Sequence, residues 1–190
     1  PSQMFNAIDS VPLTAIAFFM LTGELMTSAT ITDRLVALSR ALIGRIRGGL
    51  AQVNVLVSMF FAGMNGSVVA DTATVGALVL PAMKKAGYPA AFSAAVTGVS
   101  STIGGIIPPS IMMIVLANST EISIAALFAA GIIPGVLIGV VIMIINHYFA
   151  IKYNFERSDE PFSIRRAGKE LYRSSFALLI PLVLVGSVMG

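Results

Sequence analysis

No cysteine occurs anywhere in the chain, so neither a disulfide framework nor a cysteine metal site can be built. Charge is scarce as well. Charged residues fill 11% of the 190 positions, against about 25% in a water-soluble domain. Hydrophobic residues fill 56% and mean hydropathy is +0.91, a surplus that points to lipid as the solvent. Histidine is nearly missing: His147 stands alone at the cytoplasmic end of a long apolar run, which leaves a membrane serine protease without a base in reach. Neither Lys84 nor Lys85 follows the glycine pattern of a Walker motif. An aspartyl dyad needs two carboxylates, and Asp71 is the only acid deep in an apolar segment. No enzyme activity is expected. The net charge of +3 and pI near 9.5 do not indicate a nucleic-acid partner, because the bases cluster between apolar runs instead of forming a face interleaved with aromatics.

What charge there is reads as a topology. The twelve Lys and Arg form three groups: Arg34, Arg40, Arg45 and Arg47; Lys84 and Lys85; and Lys152, Arg157, Arg165, Arg166, Lys169 and Arg173. Such groups mark the cytoplasmic side. The base-free gaps, 1–12 and "NSTE" at Asn118–Glu121, fall on the other side. Residues 12–30 then make one span, with Glu24 near its inner end, and 31–47, which holds "DRLVALSRALIGRIR", reads as an interfacial amphipathic helix. The 66 residues between Lys85 and Lys152 hold two crossings, 88–117 and 122–151. Residues 152–173 make a cytoplasmic loop with a short helix over 165–172, and 174–190 begin another span.

The interval between Arg47 and Lys84 breaks the pattern. It holds 36 residues with both ends cytoplasmic, whereas two full crossings need about 40 plus a turn. A re-entrant hairpin over 48–83 solves this, its arms meeting at the polar stretch "GMNGSVVADTATVG". A tightly turned pair of short full spans is the alternative. The crossing at 88–117 is faulted too: Gly104-Gly105 and Pro108-Pro109 follow "SST" at Ser100–Thr102 and should break the helix. A proline kink without a site is the plain reading there. Helices that end inside a membrane leave unpaired carbonyls and amides, and these, with hydroxyls, suit a small cation or an anionic substrate group. Ion-coupled secondary transporters are built this way; carbonyl-lined channels remain a competitor. Asp71 reads either as an ion or proton site or as a first-turn residue of an arm capped by Ser67. Gly131, Gly135 and Gly139 make a close-packing helix face.

The fold class expected is therefore all-α integral membrane, a multi-span helical transporter repeat with a re-entrant hairpin and a broken transmembrane helix. The stretches "FAGMNGSVVADTATVGALVLPAMKKAGY" and "FSAAVTGVSSTIGGIIPPSI" resemble the large membrane subunit of tripartite ATP-independent periplasmic (TRAP) transporters. "GELM", "RGGLAQVNVLVSMFFAG" and "ALFAAGIIPGVLIG" extend the resemblance over essentially the whole chain. It implies sodium-coupled organic-acid uptake by an elevator movement in the bacterial inner membrane, with sodium as coupling ion and no other cofactor. It also implies two partners, a small membrane subunit and a periplasmic substrate-binding protein. The sodium ligands it implies are Asn65, Gly66 and Ser67 from the tip and Gly104, Ile107 and Pro109 from the break, with Asp71, Ser101 and Thr102 as neighbours at an ion or substrate site. Two departures stand out. Gly105 occupies a place where proline is expected in many members, and the family's subunit is more than twice as long, so the chain reads as a partial subunit. Rival readings are a binding-protein-independent anion/sodium symporter, a gated ion channel, and a fragment that only packs against partners.

Overall fold

The computed structural model describes residues 31–44, 46–155 and 164–189, together with 17, 18 and 21. The described residues are helical and contain no strand. The expected first span at 12–30, Glu24 included, lies outside them except for positions 17, 18 and 21, which are helical.

α1 covers Ile31–Ile43, with Asp33 in its first turn and Arg40 in its last, the charge order that suits a helix dipole. Its inward face buries Thr32, Leu35, Leu38 and Ser39, while Asp33, Arg34 and Arg40 are exposed. α1 packs on α2 (Gly49–Asn65) and on α7 (Ile164–Met189). The α7 contact is pinned by Ser174 Oγ donating to the Arg34 carbonyl at 3.3 Å and Arg34 Nη1 donating to the Arg173 carbonyl at 3.2 Å. α7 runs without interruption through Arg173 into the apolar segment that follows.

α2 is the core of the bundle. Leu50, Leu56, Met59 and Phe60 alone keep partial exposure along its length, because α1, α3, α4 and α6 all pack around it. α3 (Val68–Lys85) follows after only Gly66 and Ser67 and packs back on α2, making a helical hairpin. α4 (Ala90–Ser101) passes into a 3-10 turn at Thr102–Gly105, and helix resumes only at α5 (Ile111–Thr120). α6 (Ile124–Lys152) is, among the described residues, the one helix long and apolar enough to cross a membrane.

α6 also serves as a ruler. A Cβ added at Gly131 would meet the Ile106 carbonyl and the Met113 side chain, and one at Gly135 would meet the Ile107 side chain. Gly139 faces Met59 on α2, and Ala150 faces Gly48. The repeated glycines are thus a docking ridge inside the chain. At 1.5 Å per residue, the break therefore sits roughly 10–16 Å inside the N-terminal end of α6. The start of α2 lies at the opposite end, near Ala150. There Tyr88, Phe92, Phe149, Tyr153 and Phe155 stack, with Tyr88 and Phe155 at 4.5 Å and Phe92 and Phe155 at 5.1 Å. This aromatic cluster fastens the α3–α4 link to the end of α6, so Lys84, Lys85 and Lys152 belong to the same end of the bundle.

Candidate ion site at the hairpin tip

The hairpin turns tightly because of three adjacent residues. Asn65 ends α2, and its Oδ1 accepts from the Ser67 amide at 3.2 Å, an Asx turn that competes with further helix. Gly66 then takes the left-handed conformation, φ 58°, which strains any residue with a Cβ. Ser67 is extended and caps α3, its Oγ accepting from the Ala70 amide at 3.4 Å.

The break has its own fittings. The amides of Ile106 and Ile107 both donate to the Ile103 carbonyl at 2.9 Å. Ser110 Oγ donates to the Gly105 carbonyl at 2.9 Å and accepts from the Met113 amide at 3.4 Å, capping α5 while closing the loop behind it. Tip and break meet directly. The Gly66 carbonyl accepts from the Ile111 amide at 3.2 Å, and a Cβ on Gly66 would collide with the Pro109 carbonyl. Gly104 faces the Ser67–Val68 peptide, its added Cβ 3.6 Å away.

Of the residues singled out from sequence, Asn65, Gly66, Ser67, Gly104 and Pro109 thus come together at one junction. Ile107 packs its side chain on Gly135. Thr102 stands apart: it is exposed and its hydroxyl donates back to the Val99 carbonyl at 2.7 Å. Ser101 is fully buried in α4 and its Oγ has no partner. Asp71 is also fully buried, one turn into α3, and neither carboxylate oxygen has a hydrogen-bond partner. Ser67 fills the capping role considered for it, but Asp71 takes no first-turn amide. Chemically, the junction gathers carbonyl oxygens, an amide oxygen and a hydroxyl. Each carbonyl already in use keeps a second lone pair. That donor set is hard and electrically neutral.

Beneath the tip runs a buried polar ladder that sequence reading passed over. Asn54 Nδ2 donates to Thr97 Oγ1 at 2.7 Å, Ser100 Oγ donates to Asn54 Oδ1 at 3.3 Å, and Ser58 and Ser100 hydroxyls meet at 3.2 Å. A signal existed. Asn54 and Ser58 are four apart on α2, and Ser93, Thr97 and Ser100 follow four-and-three spacing on α4, so each set lies on one helix face.

Helical, apolar and built around a polar junction of interrupted helices, the chain is of the class of membrane transport proteins. Over residues 1–190 it matches the family described as "Tripartite ATP-independent periplasmic transporter, DctM component", and it belongs to that family. It is similar to the sialic acid TRAP transporter large permease protein SiaM of Vibrio cholerae, 36% identical over 188 residues covering 99% of this chain and 44% of that protein. Similarity to the C4-dicarboxylate TRAP transporter large permease protein DctM of Pseudomonas aeruginosa is 41% over 148 residues, 78% of this chain and 35% of that one. The 2,3-diketo-L-gulonate TRAP transporter large permease protein YiaN of Escherichia coli is 37% identical over 183 residues, 96% of this chain and 43% of that one. The chain therefore spans less than half the length of these relatives. They are named as transporter permeases, not enzymes.

Proposed function

We propose that the chain is part of the permease subunit of a sodium-coupled carrier for organic acids in the bacterial inner membrane. The observation that carries this reading is the junction itself, the Gly66 carbonyl on the Ile111 amide with Pro109 packed against Gly66. Depth supports it. α2 and α3 have 17 and 18 residues, about 25 Å each at 1.5 Å per residue, short of the ~30 Å hydrocarbon core. Their outer ends share the basic end of the bundle, which fits a re-entrant hairpin entering from the cytoplasm. α4 and α5 are then the halves of one broken span, and α6 is a full crossing.

Sodium is held between Asn65, Gly66 and Ser67 on one side and the carbonyls of Gly104, Ile107 and Pro109 on the other. An organic-acid substrate is supported by the names of the relatives, which are for sialic acid, C4-dicarboxylate and diketo-gulonate. A periplasmic binding protein delivers the acid, a small membrane subunit anchors the permease, and the tip and break travel together in an elevator movement. The direct backbone bond between them fits that last step. In the complete permease reconstituted with its partners, Asn65→Ala and Ser67→Ala should each raise the sodium concentration for half-maximal uptake by about tenfold, a loss of about 1.4 kcal/mol of ion binding. Unchanged sodium dependence in both variants rejects the site.

A further inference from the structure

We infer that a cleft between α1, α3 and α7 holds one phospholipid whose headgroup carries a primary ammonium and a phosphate, the phosphoethanolamine class. The site depends on the membrane placement proposed above but not on the sodium junction. The cleft measures about 380 Å³, within the usual range for small-ligand sites. Asp33, Val36, Ala37 and Arg40 line it from α1, Leu78 from α3 and Glu170 from α7. The four α1 residues fall at i, i+3, i+4 and i+7, so they share one helix face. That face lies beside the packed one. Thr32, Leu35, Leu38 and Ser39 are buried, whereas Asp33 and Arg40 are exposed and Val36 and Ala37 half-buried.

The place suits a lipid. The Gly44 amide donates to the Arg40 carbonyl at 2.9 Å, and Gly44 lies against Gly49 at the start of α2. Arg40 therefore stands at the end of the bundle that carries Lys84, Lys85 and Lys152. Leu78 is exposed on α3 and precedes Lys85 by two helical turns, about 10 Å deeper at 1.5 Å per residue. Charge near the bundle end and apolar surface below it match a headgroup and the chains that follow it.

The charges choose the headgroup. Among the described residues Asp33 and Arg40 have no ion-pair partner, and Glu170 meets only Arg173, three residues on, at 3.5 Å. That pair is open to solvent on its arginine side and so weak. Arg40 offers N–H donors to a phosphate, and the two carboxylates can accept from an ammonium with three N–H groups. An anionic headgroup would set its surplus charge against both carboxylates, with one free arginine to answer it. A choline headgroup has no N–H to donate and is recognised by aromatic faces, and none of the residues lining the cleft is aromatic.

Native mass spectrometry of the complete permease with its small membrane subunit, delipidated and given one synthetic phospholipid at a time, tests the site. Phosphatidylethanolamine should bind as one equivalent and about tenfold more tightly than phosphatidylcholine or phosphatidylglycerol with the same chains, roughly the worth of one charge-assisted hydrogen bond. Arg40→Gln should weaken the ethanolamine and choline lipids alike, because both carry the phosphate. Asp33→Asn combined with Glu170→Gln should remove the preference for ethanolamine over choline. Ala37→Trp fills the cleft without altering charge and should abolish the bound equivalent, which covers a charge variant that does not fold. Equal affinity for the three lipids, or a preference that survives all these variants, overturns the assignment. Displacement by millimolar glycerophosphoethanolamine, which has the headgroup but no acyl chains, would give the cleft to a soluble ligand instead. A lipid retained by the permease alone but expelled by the small subunit would make the cleft a protein contact. Lipid binding needs no sodium, so the site stands or falls separately from the sodium dependence of Asn65→Ala and Ser67→Ala.

Discussion

The carbonyl of Gly66 and the amide of Ile111 are hydrogen-bonded at 3.2 Å, joining the last turn of one helix to the first amide of another far along the chain. Both are groups that helix ends normally leave unpaired. The bond is backbone to backbone, so it does not depend on either side chain. It depends on how closely the two segments approach. That approach exists because Gly66 has no Cβ where the Pro109 carbonyl sits.

Gly66→Ala should therefore be severe. The left-handed φ of 58° alone costs about 1–2 kcal/mol for a residue with a Cβ, and the collision with Pro109 adds to it. Gly104→Ala is the matched control: its Cβ would rest 3.6 Å from the Ser67 backbone, ordinary contact. Thermal unfolding in detergent and uptake assays should both fall for Gly66→Ala and change little for Gly104→Ala. Equal loss in the two would refute close approach as the reason for glycine at the tip.

Thr97→Val tests the ladder. It removes the 2.7 Å bond from Asn54, leaving that Nδ2 only the Met83 sulfur at 3.7 Å. The expected loss is about 1 kcal/mol, between the usual value for a buried polar group and the smaller average found between transmembrane helices. Adding Asn54→Leu should cost less than the sum of the single changes, since the pair leaves together. Denaturant unfolding in mixed micelles, read as a double-mutant cycle, measures the coupling. Strict additivity would mean the bond contributes nothing.

How much of this was legible in the chain depended on the kind of signal. The helical class followed from composition, the helical hairpin from the spacing of the basic groups on either side of a polar stretch, and the Ser67 cap from chemistry that is local. The interruption after Ser101 followed from glycine and proline for the same reason. Ile107 and Thr102 show the limit. Which way a side chain points after a break is decided by the partner helix, and Gly135 takes Ile107 while Thr102 turns outward onto Val99. The ladder from Asn54 to Ser100 was written as helical spacing, yet the matching of two faces is a long-range fact that no single helix carries.

The glycine ridge of α6 gives the last prediction, and it turns on what each glycine faces. At Gly131 an added methyl meets the Ile106 backbone carbonyl as well as Met113, and backbone in the break cannot shift without moving the junction. At Gly139 the nearest atoms are those of the Met59 side chain from Cγ outward, a flexible chain that can rotate away. Gly131→Ala should cost about 1–3 kcal/mol by overpacking and reduce uptake, because the break and the tip it holds are displaced. Gly139→Ala should fall at or below the low end of that range and leave sodium dependence intact. Unfolding midpoints and uptake curves of the two variants, measured side by side, decide the matter: if Gly139→Ala proves the more damaging, α6 does not hold the break in place through Gly131.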